Sequence, residues 1–342
     1  MKTGVVGGGP AGLLTALLLR RRGVTEHVVL WERDREETAG FGVILPPETL
    51  DLLRRADPTL ASAVGQHLVH WRKTTVRRGS ESWSTSATPP LSAIARTTLN
   101  RLLWEACVAA GVTLRECEAP ALGTLSASYD LVVCADGAGS QADRTEFEIT
   151  IEQLGPRYTW LGVDRALDGL TFWAEPTPVG PYMAHAYPFT HSASTFLVEG
   201  RGALDTASIA AHFRMPVRSN SSARTSTWRT FRQRRAGRWS RDNVVLVGDA
   251  AHTTHYSIGY GTHLAFEDAV ALVECLAAER SLERALLAYE RIRRPVVEAA
   301  QERGRISAEW FAQVDDVLDA PLSRFAATLL TRGGRLQRDR GP

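Results

Sequence analysis

Three glycines, Gly7, Gly9 and Gly12, stand in a G-x-G-x-x-G spacing between a short apolar run and the helix-like stretch Leu13 to Arg22. Gly7 permits a tight turn, Gly9 lets a pyrophosphate approach the backbone, and Gly12 lets the helix pack closely on the strand. Pro10 and Ala11 complete the turn, so the free N–H groups of the helix start, at the positive end of its dipole, face a phosphate. A second apolar run, His27 to Trp31, ends at Glu32, about 20 residues past Gly12, where an acid suits ribose hydroxyls. Arg33 follows it. The unit predicts a bound dinucleotide held by Gly7, Gly9, Pro10, Ala11, Gly12, Glu32 and Arg33. The plain alternative is a turn in an unrelated α/β protein, but four glycines in six residues at a helix start then cost stability for no purpose.

Two later stretches carry the same kind of chemistry. The buried-strand run Tyr129 to Cys134 closes on Asp136-Gly137, and Asn243 to Val247 closes on Gly248-Asp249. An acid at a strand end accepts hydrogen bonds from sugar or polyol hydroxyls. Gly259, Gly261 and Thr262 then open another helix with bare backbone N–H groups. Histidine and tyrosine recur twice, as His185 with Tyr187 and as His255 with Tyr256. A histidine there can take the proton of a phenol or an amine. For His185 and Tyr187 a packed, hydrogen-bonded core pair is an equal reading. His252, just after a strand end, reads as structural. Phe41, Val43 and Leu45 are a mobile wall or simple packing.

The elements that must position these groups follow from patterning. The chain has 342 residues, 44% hydrophobic and 23% charged, enough for one large or two ordinary domains. The expected fold is α/β: a Rossmann-like dinucleotide domain (residues 1–70, 96–145 and 237–280) with an inserted antiparallel sheet domain for substrate (71–95 and 146–236) and a helical C-terminus (281–342). Residues 39–47 read as a shaped loop, the Ser/Thr/Pro-rich stretch before Arg96 as a connection, and Pro295 as a break or kink in the last helix. Arg96 heads a helix, where a cation needs an anionic partner. The arginines at 229, 232, 234, 235, 238 and 241 read as a solvated face rather than a phosphate clamp. The tail from Arg332 to Arg340 reads as a frayed terminus.

A formal charge of +2 gives no reason to expect nucleic acid or an anionic membrane as a partner. No apolar run approaches membrane-spanning length. The four cysteines lie far apart with no C-x-x-C pair, which argues against a metal site and for free thiols in the cytoplasm.

Taken together, the glycine unit, the Asp136-Gly137 pair and the run Gly-Asp-Ala-Ala-His (248–252) with Gly259-Tyr-Gly261 resemble the flavin-dependent aromatic hydroxylases, the group A flavoprotein monooxygenases. The likeness runs along essentially the whole chain in the family's order. Gly-Phe-Gly-Val-Ile-Leu-Pro (40–46), Ala-His-Ala-Tyr-Pro-Phe (184–189) and Ser-Thr-Phe-Leu-Val-Glu (194–199) are similar to one subgroup, the salicylyl-CoA, 2-aminobenzoyl-CoA and violacein-pathway hydroxylases. The resemblance implies FAD as cofactor, held also by Arg96, Asp136, Asp249, Gly259, Gly261 and Thr262, and NAD(P)H as reductant. It implies hydroxylation of an electron-rich ring through a flavin C4a-hydroperoxide, with an aromatic substrate, free or linked to CoA or a carrier protein. His255, Tyr256, His185 and Tyr187 are then the candidate catalytic residues. The sequence departs from the family at Tyr256-Ser-Ile-Gly259, where a proline is usual, so backbone groups or Tyr256 must replace the proline carbonyl. A flavin-dependent halogenase lacks support, since no W-x-W pair occurs. A flavin-binding partner without oxygenase activity is the other alternative.

Overall fold

The computed structural model describes residues 1–35, 40–142, 144–219 and 228–332. The apolar runs around the glycines form a six-stranded sheet in the order Ser240–Arg241, Val244–Leu246, Leu131–Cys134, Lys2–Val6, His27–Trp31, Thr113–Arg115. Its strands are parallel apart from the first pair. Strands buried on both faces need near-continuous apolar sequence, which Val244–Leu246 and Leu131–Cys134 supply. The helix Pro10–Arg21 crosses from the first strand, with Leu13, Leu14, Leu17 and Leu18 fully buried. Each such leucine contributes roughly 1.5–3 kcal/mol. Because the strands lie side by side, Glu32, Asp136 and Asp249 all follow the same edge of one sheet.

The second sheet has nine strands, and its long members are Val69–Arg78, Glu81–Ala95, Ile149–Val163, Gly169–Glu175, Tyr182–Pro188, Ser194–Gly200 and Arg229–Ala236. Pairing is antiparallel except between Val69–Arg78 and Gly169–Glu175, which run parallel. One face (Ala184, Ala186, Phe196 and Leu161) packs on Ile209 and Phe213 of the helix Thr206–Phe213. The other carries His185 and Tyr187 and turns toward the C-terminal helices, with His185 against Phe311.

Three expectations are corrected. The Ser/Thr/Pro-rich connection is the fifteen-residue strand Glu81–Ala95. Pro89 and Pro90 fall where the register jumps, between the pairs Lys73–Ser86 and Trp71–Leu91, so their missing N–H groups cost no ladder bond. The stretch 39–47, expected as a loop, contains a strand, Gly42–Ile44, which pairs with Ala93–Ala95 and so belongs to the second sheet, not to the dinucleotide unit assigned to 1–70. Pro295 does not break its helix, which runs from Leu282 to Ala312. Buried Leu286, Tyr289, Val297 and Ala300 anchor that helix on both sides of the proline. A helix absent from the sequence reading, Pro58–Gly65, is capped by Asp57, which accepts from the Leu60 N–H at 2.9 Å.

Phe41, Val43 and Leu45 are buried packing residues, with Phe41 against Phe189. Of the Arg332 to Arg340 tail, only Arg332 falls within the described residues. Among those residues no helix is long and apolar enough to cross a membrane.

Candidate active site

The dinucleotide cradle shows which glycines the protein needs and which a ligand needs. Gly7 has φ +104°, and a Cβ there would run into the Ala135 carbonyl; a Cβ on Gly12 would collide with the Gly7 carbonyl. Gly9 has nothing within 4 Å, so no protein atom explains its lack of a side chain. The helix Pro10–Arg21 starts at Gly9 with no side-chain cap, and the helix Gly261–Ala278 starts uncapped as well. Gly259 ahead of it takes φ +64°. Two helix N-termini are thus left with free N–H groups beside open backbone.

The acids and the arginine carry matching vacancies in their bonding. Asp136 accepts from the Gln141 N–H at 2.8 Å through Oδ2, while its buried Oδ1 has no partner. Arg96 donates its backbone N–H to Phe41 at 2.9 Å, and its buried Nε has no partner. Asp249 is an exposed residue whose carboxyl is nevertheless crowded by protein, which pushes its pKa up against the pull of His252 and Arg96. Glu32 accepts from the Gly8 N–H at 2.6 Å and from the Asp34 N–H at 2.9 Å. Arg33 pairs with Asp34 at 2.8 Å on the surface. A pyrophosphate at Gly9, a polyol at Asp136 and Asp249, and an electron-rich ring edge at Gly261 and Thr262 satisfy these demands. The residues fit FAD.

On the inner face of the second sheet a polar cluster forms around a residue that the sequence reading did not single out, Glu199. Strand register sets it diagonally across from His185, because His185 pairs with Leu197 and Glu199 pairs with Met183. Its carboxylate is bonded to His185 Nε2 and accepts from the Tyr256 hydroxyl at 2.7 Å. Glu199 is only 1% exposed. Burial alone would raise its pKa, but His185, with help from the Tyr256 hydroxyl, holds it below the ordinary carboxylate value. Burial and the same carboxylate push the Tyr256 phenol well up, so it stays protonated. The ring of Tyr256 lies 4.6 Å from Tyr158 and 4.1 Å from His255. An acid closing the all-buried strand Ser194–Gly200 was the available signal for Glu199.

Two candidates are placed differently from expectation. Tyr187 does not join His185: it donates to the Gly42 carbonyl at 2.9 Å and stacks on Trp71 at 6.2 Å. His255 does not face the cleft. Its side chain is fully buried behind Tyr256, with Phe231 at 4.9 Å, and Gly155 and Gly304 leave just enough room for it. The residue before a 3₁₀ turn points inward or outward according to one torsion, which sequence alone does not specify. Its Nδ1 shares a hydrogen with Ser257 at 2.7 Å, and its buried Nε2 has no partner.

Burial lowers the His255 pKa from 6.5 to about 4, so the folded protein keeps it neutral. As pH falls through that interval the unfolded chain gains a proton that the folded one refuses, and stability drops. The loss is on the order of 3 kcal/mol. Melting temperature is therefore expected to fall as the solution is acidified from pH 6.5 toward 4, and His255→Asn to flatten that decline. An unchanged slope in the variant would contradict the assignment.

A second buried network supports the cradle. Asp268 is fully buried and bonds His252 Nε2 at 2.6 Å, Arg293 Nε at 2.8 Å and the Gly248 N–H at 3.1 Å. His252 also stacks on Trp239 at 5.1 Å. Four of the clustered arginines are engaged within the protein: Arg234 with the Ala250 carbonyl at 2.6 Å, Arg235 with Gln301 at 3.1 Å, Arg238 with Glu148 at 2.9 Å and Arg241 with Glu146 at 2.8 Å. Arg234 is buried rather than solvated.

A Rossmann-like sheet, an uncapped glycine cradle and a facing second sheet define a flavoprotein of the monooxygenase architecture. The chain belongs to the family described as "FAD binding domain", whose model matches residues 1–121 and 203–304. It is 43% identical, over 98% of its length and 95% of the relative's, to 3-hydroxy-4-methyl-anthranilyl-[aryl-carrier protein] 5-monooxygenase of Streptosporangium sibiricum. It is 38% identical to salicyloyl-CoA 5-hydroxylase of a Streptomyces species, over 97% of this chain and 70% of that one. In fold it is similar to 2-methyl-3-hydroxypyridine-5-carboxylic acid oxygenase, with a TM-score of 0.77 at 22% identity, covering 97% of this chain and 95% of that one. The protein is a FAD-dependent aromatic monooxygenase, and NAD(P)H is the usual reductant of its class.

Proposed function

We propose that the chain hydroxylates the ring of a 2-amino- or 2-hydroxybenzoyl group presented as a thioester, on an aryl-carrier protein or on coenzyme A. The observation that carries this reading is the likeness, along 98% of the chain, to an enzyme named for an anthranilyl group on an aryl-carrier protein. Such a ring is electron-rich and becomes more so as its hydroxyl or amine gives up a proton.

When bound and reduced by NAD(P)H, FAD would activate dioxygen, one atom of which goes to the ring and the other to water. The chain's own residues bind and orient. Gly7, Gly9, Pro10, Ala11 and Gly12 take the pyrophosphate, Glu32 the ribose, and Arg96, Asp136 and Asp249 the remaining polar groups of the dinucleotide. Gly259, Gly261 and Thr262 present N–H groups to the ring edge. Tyr256 accepts a hydrogen bond from the substrate's ring substituent while Glu199 holds the Tyr256 proton, and His185 shares that carboxylate. Tyr187 and Trp71 wall the pocket, and His255 supports Tyr256 from behind. We place the protein in the cytoplasm, a reading supported by four cysteines that form no disulfide.

The test uses purified, FAD-loaded protein with salicyloyl-CoA, 2-aminobenzoyl-CoA, the two free acids and tryptophan. Thioesters are expected to drive NAD(P)H oxidation and hydroxylated product about tenfold or more better than the free acids. Equal turnover of the free acids, or turnover of tryptophan alone, would overturn the thioester reading.

A further inference from the structure

Arg332 stands just past the C-terminal helix Leu322–Thr331, at the start of what the sequence suggests is a frayed tail. Its side chain is instead half-buried and held between two rings. The guanidinium carbon lies 4.7 Å from the ring centroids of both Phe172 and Phe311. One Nη donates to the Ser257 carbonyl at 2.9 Å, the other to the Leu329 carbonyl. Nε is buried without a partner. Burial brings its pKa down to about 10, against the attraction of Glu199.

A guanidinium taken out of water is costly unless an opposite charge uses it. Phe172, under the guanidinium, pairs with His185 in the sheet, so the cation sits over the neighbour of the Glu199 partner. The groups around Glu199 are His185 from Tyr182–Pro188, Tyr158 from Ile149–Val163, and His255 and Tyr256 from the turn, while Arg332 stands one ring further out, across Phe172 and Phe311 from His185. Arg201 and Asp315, which pair with each other, line the small cavity beside it.

We propose that Arg332 is a positioning residue for hydroxylation: through the Ser257 carbonyl it pins the Tyr256–Ile258 turn to the sheet, and from across the Phe172 and Phe311 rings its charge attracts the His185-bound Glu199 carboxylate beneath Tyr256. The inference rests on reading Glu199 as the site carboxylate. A surface tail residue would do neither. A purely structural staple would do the first only.

The experiment is a double-mutant cycle on the FAD-loaded protein with Arg332→Met and Glu199→Gln, read by melting temperature at neutral and acidic pH. Methionine keeps the packing between the two phenylalanines and removes the charge. The Arg332→Met deficit is expected to be largest at neutral pH, to shrink as Glu199 protonates, and to disappear or reverse in the Glu199→Gln background. With salicyloyl-CoA, product per NAD(P)H is expected to fall about tenfold in Arg332→Met and to recover in Arg332→Lys. A deficit equal in both backgrounds and independent of pH would overturn the proposal. If Arg332→Met does not fold, Arg332→Gln enters the same cycle. Rescue of either variant by Glu199→Gln supports the proposal, and unfolding regardless of background overturns it. Failure of the parent to hydroxylate any aryl thioester would strike the functional reading alone, since the melting cycle needs no substrate.

Discussion

Glu199→Gln is expected to lower ring hydroxylation by about 100-fold while FAD stays bound. Glutamine has the same shape, so the buried site keeps its packing and an acceptor for the Tyr256 hydroxyl. What it loses is the negative charge shared by His185 and Tyr256. Without that charge the Tyr256 proton is no longer drawn toward the carboxylate, and the Tyr256 oxygen becomes a poorer acceptor for the substrate's hydroxyl or amine. The cofactor cradle is built from the other sheet, so the flavin spectrum is expected to be unchanged. Because the Glu199 carboxyl lies below its ordinary value of 4.5, the parent enzyme is expected to lose no activity through this group until pH falls beneath that value. Stopped-flow reduction and product analysis check the claim. A variant that consumes NAD(P)H and forms product as the parent does would remove Glu199 from the site.

Asp268→Ala is expected to have the largest effect on stability, about 3–5 kcal/mol. The substitution strips the partner from buried His252, from buried Arg293 and from the Gly248 N–H together. Arg293 keeps Glu267 at 2.9 Å, which limits the loss without repairing it. The melting temperature of the flavin-free protein is expected to fall by roughly 5–10 °C. Gly248 directly precedes Asp249, so the turn that presents Asp249 loosens, and FAD affinity is expected to drop with it. A fall of under about 1 °C would show that the network contributes little.

The parts of the fold that rest on local patterning were legible. Near-continuous apolar strands ending in Glu32, Asp136 and Asp249 suit a parallel sheet buried on both faces, and the glycine spacing marks the first crossover. The strand Glu81–Ala95 was hidden because serine, threonine and proline speak for a loop until a partner strand supplies the register and absorbs the prolines in a bulge. Pro295 misled for a similar reason: packing on both sides of it outweighs one missing hydrogen bond. In the site, His185, His255 and Tyr256 stood out by residue type, but what joins them did not. Glu199 meets His185 only through a particular antiparallel register, and Arg332 arrives from the far end of the chain. His255 and Tyr256 are adjacent in sequence, yet one is buried support and the other faces Glu199. No periodicity separates them.

The reaction assigned to this site places an oxygen atom from dioxygen on an aromatic ring. Its most direct test is turnover of 2-aminobenzoyl-CoA or salicyloyl-CoA under isotopically heavy dioxygen in ordinary water, with mass analysis of the product. The expected result is one heavy oxygen in the new ring hydroxyl, formed only when FAD and NAD(P)H are both present. A product carrying oxygen from water, or flavin reduction with no ring oxygenation of any aryl thioester, would contradict it.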